Sequence, residues 1–130
     1  MIKNNKILLL RRYNTGFRDG KYSFPARHLE PNETLTQATI RETKEEIGTG
    51  LNPEGLKLVH VMHRKETKEN RIDFFLTTKK WKGKPKIMEP NKCDDLNWFE
   101  LDKLPNNIIP YIKQAINCFL NKIFYSEHGW

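Results

Sequence analysis

The chain is 130 residues long, the size of one domain, and its 37% hydrophobic and 30% charged residues are an ordinary balance for a protein with a packed core. No apolar run approaches the roughly 18 residues that cross a bilayer, and the longest, residues 7–10, is too short for a secretion signal, so a cytoplasmic protein with no membrane partner is the expectation. The net charge of +7 suits anionic small molecules as well as nucleic acid, and the lysines read as spread along the chain, so nucleic acid is not the expected partner.

Residues 6–12 (KILLLRR) carry a short continuous apolar run and read as a buried strand. Only residues 1–5 precede it. Either the start is placed late, or the sheet is expected to lack an N-terminal edge strand, or a partner covers that edge, which makes a homodimer worth testing. Turn-forming residues fill 14–20 (NTGFRDG), and 22–24 resume as a short strand up to Pro25. A helix is expected over 34–47. Residues 56–63 (LKLVHVMH) and 71–79 (RIDFFLTTK) read as a hairpin. Between them Arg64, Lys65 and Lys68 alternate with Glu66 and Glu69, the mixture of a solvated turn rather than of a nucleic-acid patch. A further strand is expected at 96–101 (LNWFEL). A last helix follows from 108 to about 124, with Ile109, Ile112, Ile116, Phe119 and Leu120 on one stripe. Strands mixed with two helices predict an α/β/α sandwich, a mixed sheet with helices on its faces. With no linker, repeat or low-complexity tract, the whole of 1–130 is expected to be a single domain.

Cys93 and Cys118 form no CxxC pair and have no histidine close by, so they read as two reduced thiols. His60 and His63 stand three apart on a strand and point to opposite faces, which speaks against a shared metal.

The helix at 34–47 carries the chemistry. Thr34 can cap it, Gln37 completes a capping box, and Gly48 is placed to end it in a left-handed conformation. Inside it Glu42, Glu45 and Glu46 stand at i, i+3 and i+4, where like charges are neighbours and repel. They also occupy the last turns, where the helix dipole favours cations. Two local rules broken together mark a functional site. A divalent cation would reverse both penalties, and oxygen ligands with room left for phosphate suit Mg²⁺ or Mn²⁺. A solvated acidic face eased by Arg41 and Lys44 is the competing reading of the hexapeptide alone.

The residues before the helix shift that balance. Residues 23–33 (SFPARHLEPNE), followed by Arg41-Glu42, Glu45-Glu46 and Gly48, resemble the Nudix box, with Glu33, Arg41, Glu42, Glu45, Glu46 and Gly48 in register with its fixed positions. The chain is similar to the small MutT-like members of that family throughout. The resemblance implies the Nudix-type α/β/α sandwich and metal-dependent hydrolysis of a nucleoside diphosphate linked to another group. It implies that Glu42, Glu45 and Glu46 are metal ligands, with the backbone carbonyl of Ala26 a further one. Arg41 would orient a glutamate through a forked ion pair, and Glu33 would bind metal through water or brace the loop. The base outside the box is open among Glu89, Asp94, Asp95 and Glu100. Arg12, Arg27, Phe74 and Asn107 are the candidate substrate residues, with Arg11, Arg18, Trp81 and Trp98 behind them. Phe74 and Phe75 point to opposite faces, so at most one stacks on a nucleobase.

Three positions depart from the box. Arg27 stands in place of a glycine, and Thr43 and Thr49 in place of aliphatics, whose hydroxyls then need partners. Marker residues of the ADP-ribose, diadenosine polyphosphate and coenzyme A branches are missing. Their absence leans the expectation toward a nucleoside triphosphate or modified nucleotide, split to monophosphate and pyrophosphate. An ADP-ribose or nucleotide-sugar pyrophosphatase is the alternative, as is a nucleotide-binding protein weakened by Arg27.

Overall fold

The computed structural model describes residues 1–25 and 29–130. In chain order the elements are β1 (Ile2–Lys3), β2 (Lys6–Arg12), β3 (Tyr22–Ser23), α1 (Leu35–Ile47), a 3-10 turn (Pro53–Gly55), β4 (Lys57–Lys65), β5 (Asn70–Thr77), β6 (Cys93–Glu100), α2 (Pro110–Leu120) and β7 (Tyr125–His128). Strand β2 is the hub. It pairs antiparallel along its length with β6, while β1 and β3 share its other edge. A second sheet runs β5-β4-β7, antiparallel on one side of β4 and parallel on the other.

The alternation of β2 divides the core. Ile7 and Leu9 face Ile112 and Ile116 of α2. Leu8 and Leu10 face the other way, onto Ile47 of α1 and Cys93. A strand covered by a helix on each face needs apolar residues at successive positions, which is why KILLLRR shows no polar alternation. The α/β/α sandwich expected from the sequence is the architecture found. Among the described residues no helix is long and apolar enough to cross a membrane.

Three expectations are corrected. The N-terminal edge is not bare: Ile2–Lys3 turns back onto β2 through Asn4 and Asn5, both at positive φ (54° and 61°), as a tight hairpin turn requires. The last helix stops at Leu120 rather than near 124, because Lys122 is left-handed (φ 58°) and turns the chain into β7. Its apolar stripe accordingly holds Ile109, Ile112 and Ile116, while Leu120 is exposed. Strand β7 itself has no counterpart in the sequence reading. It is fastened by His60, fully buried on β4, whose Nδ1 donates to the Ile123 carbonyl (2.8 Å) and whose Nε2 meets Ser126 Oγ (2.7 Å). His60 is therefore a satisfied core histidine. Both cysteines are buried free thiols.

Gly48 ends α1 at φ 73° and its N–H donates to the Lys44 carbonyl. A Cβ there would come within 3.1 Å of Met88 Sδ. Gly48→Ala should cost about 1–2 kcal/mol from the left-handed backbone alone, read as a lowered urea midpoint at unchanged slope.

Candidate active site

Helix α1 begins as the capping box predicts. Thr34 Oγ1 accepts from the Gln37 N–H (3.1 Å), and Gln37 Oε1 accepts from the Thr34 N–H (2.9 Å). The cap sets the helix phase. Ala38, Glu42, Thr43 and Ile47 fall on the buried side, while Lys44 and Glu45 are exposed and Glu46 is half-buried. Glu42 is thus carried inward by periodicity, although a buried carboxylate is costly unless something offsets its charge. Thr49, fully buried, finds a partner for its hydroxyl in Met1 Sδ (3.8 Å).

Arg41 is the hub of the charge network. Its Nε and Nη2 donate to the two oxygens of Glu33, each at 2.8 Å, a two-pronged fork across the loop-to-helix junction. Its Nη1 donates to Glu45 Oε2 at 3.2 Å, and Nη2 lies 3.5 Å from Glu42 Oε1. Glu33 Oε1 also accepts from the Glu30 N–H (2.9 Å). One guanidinium therefore ties the loop before the helix to two of the three helix carboxylates. Glu33 is held as a brace here, and the glutamate that the Arg41 fork grips is Glu33.

The Arg41 hydrogen bonds, helped by the Glu30 N–H, hold the Glu33 carboxyl at about 2, far below its ordinary 4.5. A depressed acid contributes stability above its ordinary value and loses it as pH falls through the shifted one. The brace should therefore hold at pH 4.5 and release toward pH 2. The ¹³C shift of the Glu33 carboxyl should titrate near 2, and a midpoint near 4.5 would show the fork to be absent in solution.

These groups line a cleft of about 1200 Å³ whose wall includes Arg12, Arg41, Glu42, Glu45, Glu46, Phe74 and Glu89. Of the four acids proposed outside the helix, Glu89 lines this cleft, and Lys92 Nζ lies 3.7 Å from it. Asp94 pairs with Arg11 (2.7 Å), Asp95 accepts from the Tyr22 hydroxyl and the Asn97 amide, and Glu100 lies 3.6 Å from Lys103. Phe74 is exposed and Phe75 is partly buried, packed edge-on against Phe24, and both line the cleft. Arg12 is occupied in the loop before β3, donating to the Phe17 carbonyl (2.7 Å) and Thr15 Oγ1 (3.1 Å). Asn107 stands apart from the cleft wall: its amide donates to the Gly20 carbonyl (2.9 Å), and its own carbonyl accepts from the Tyr22 N–H. These bonds fix the turn at Gly20–Tyr22. Ala26 and Arg27 lie outside the described residues.

Among the described residues no three His, Cys, Asp or Glu side chains are gathered as a metal cage. The donor set nonetheless fits a hard divalent cation. It offers only carboxylate oxygens, on adjacent turns of one helix and facing one cleft. Glu45 is drawn aside by Arg41 and half-exposed, so it is free to rotate back at small cost.

Comparison with known proteins agrees with this geometry. The family model of the NUDIX domain matches residues 1–117. The chain is 27% identical over 131 residues to the NAD-capped RNA hydrolase NudC of Stutzerimonas stutzeri (strain A1501), covering 96% of this chain and 42% of that protein, so it spans less than half of that relative. It is 28% identical over 105 residues to the 8-oxo-dGTP diphosphatase of Escherichia coli (strain K12), covering 79% of this chain and 80% of the relative. The crystal structure of the MutT NUDIX hydrolase from Burkholderia pseudomallei superposes with a TM-score of 0.82 at 24% identity over 90% of each chain, a likeness of fold.

Proposed function

The chain belongs to the Nudix family, whose members are pyrophosphohydrolases of nucleoside-diphosphate-linked compounds, and from that premise we propose that it cleaves a nucleoside triphosphate or modified nucleotide to the monophosphate and pyrophosphate. The observation that carries this reading is the set of carboxylates Glu42, Glu45 and Glu46 on the wall of one cleft, the first two beside Arg41. The relative matched over most of its length is an 8-oxo-dGTP diphosphatase, which supports a triphosphate as substrate class.

Glu45 and Glu46 would be the nearest ligands of Mg²⁺ or Mn²⁺, with Glu42 completing the set. When bound, the ion supplies neutralisation of phosphate charge and a more acidic water. The chain's own residues do the rest. Arg41 holds the loop through Glu33 and keeps the carboxylates from splaying. Glu89, on the cleft wall, would take the proton from the attacking water as its oxygen bonds to phosphorus and the bridging oxygen–phosphorus bond to the leaving phosphate group breaks. Phe74 offers an exposed ring face to a base.

The test is a panel of nucleoside triphosphates, 8-oxo-dGTP, ADP-ribose and NAD with Mg²⁺ or Mn²⁺, with products resolved by chromatography. Monophosphate plus pyrophosphate from a triphosphate is expected. Turnover of ADP-ribose alone would overturn the substrate class. Failure on every compound, with Glu46→Gln no different from the parent chain, would overturn the enzyme.

A further inference from the structure

Composition argues against nucleic acid because the lysines look dispersed. One stretch of the chain departs from that dispersal, and the fold brings further lysines to it. Residues 79–86 (KKWKGKPK) hold five lysines in eight positions, and no acid stands between Asp73 and Glu89. This stretch is pinned rather than loose. Lys82 exchanges two backbone hydrogen bonds with Gly50 (2.9 and 3.0 Å), and the N–H groups of Lys86 and Met88 donate to the carbonyls of Ile47 (2.9 Å) and Glu46 (3.2 Å). Its backbone is therefore fixed against the C-terminal end of α1.

Trp81 in this stretch stacks on Trp98 of β6, ring centres 5.6 Å apart and planes 22° from parallel. The hairpin of β1 and β2 brings Lys3 and Lys6 to the same place, from the far end of the sequence. Together Lys3, Lys6, Lys84 and the two tryptophans line a pocket of about 590 Å³ that shares no wall residue with the hydrolytic cleft. The three lysines are exposed. The nearest acid by register is Glu100, opposite Lys6 and 3.6 Å from Lys103.

We propose that this pocket, Trp81 stacked on Trp98 among Lys3, Lys6 and Lys84, docks single-stranded polynucleotide. Flat aromatic faces beside cations that follow a backbone are the recognition chemistry of single strands, since every base has a ring face and every residue a phosphate. A duplex hides those faces in its own stack. The charge complementarity is one-sided, as a polyanion requires.

The experiment measures anisotropy of labelled oligo(dT) and oligo(U) on the full chain across a salt series. Three lysines meeting phosphates predict a log–log salt slope of about −2, from a single-strand value near −0.7 per contact. The double variant Lys3→Glu/Lys84→Glu should weaken binding about tenfold or more and flatten the slope by about 1.4. Oligonucleotide should also quench tryptophan emission, and a duplex of equal length should bind more weakly. Both substitutions are at exposed sites, and an unchanged melting temperature and unchanged hydrolysis of free nucleotide would show the variant folded. No binding at low salt would overturn the proposal, as would affinity indifferent to the double variant. So would binding of phosphatidylserine vesicles in place of oligonucleotide. Hydrolysis is read separately, so either reading can fail without the other.

Discussion

Glu46→Gln should lower the rate of nucleotide hydrolysis on the order of a hundredfold or more, while the melting temperature stays level or rises slightly. The substitution keeps the side chain's size and one carbonyl oxygen. It removes the negative charge that a divalent ion and its phosphates need, and electrostatic terms of this kind are the largest single contributions in such sites. The same charge is a burden to the fold, because Glu46 follows Glu42 by one helical turn near the negative end of α1. Activity and stability should therefore move in opposite directions. A fall in both would show Glu46 to be a structural residue, and no change in rate would remove it from the site.

Arg41→Lys is expected to cost about 10–100-fold in kcat, although the charge is retained. An ammonium on a flexible stem cannot reproduce the parallel bonds from Nε and Nη2 to Glu33 while also reaching Glu45 and lying beside Glu42. The loop would loosen and the carboxylates lose their common counter-ion. An independent readout separates this positioning role from general instability: the Glu33 carboxyl should titrate higher, moving from about 2 toward 4.5. A kcat within twofold of the parent chain, or a Glu33 midpoint unmoved, would contradict it.

Local signals were legible in the sequence and non-local ones were not. The capping box, the left-handed Gly48 and the buried run of β2 depend on neighbours in sequence, and each was found where expected. The register of Glu33, Arg41 and Gly48 was read through resemblance rather than from first principles. Strand β7 was missed because YSEH has no apolar alternation of its own; its place is set by His60, Ser126 and the parallel ladder on β4. The turn-fixing bond from the Asn107 amide to the Gly20 carbonyl is likewise non-local, since 87 positions separate the two residues. Lys79 to Lys86 was passed over as scattered charge, and only the pairing of β1 and β6 with β2 gathers Lys3, Lys6 and Trp98 around it.

The central claim is that the carboxylates of α1 work by holding a divalent ion, and metal removal tests it most directly. On the best substrate of the panel, protein stripped by chelator should show no hydrolysis, Mg²⁺ or Mn²⁺ should restore it, and Glu46→Gln should need more metal for less rate. Hydrolysis that persists undiminished in chelator, or a metal dependence unaltered by Glu46→Gln, would contradict the account.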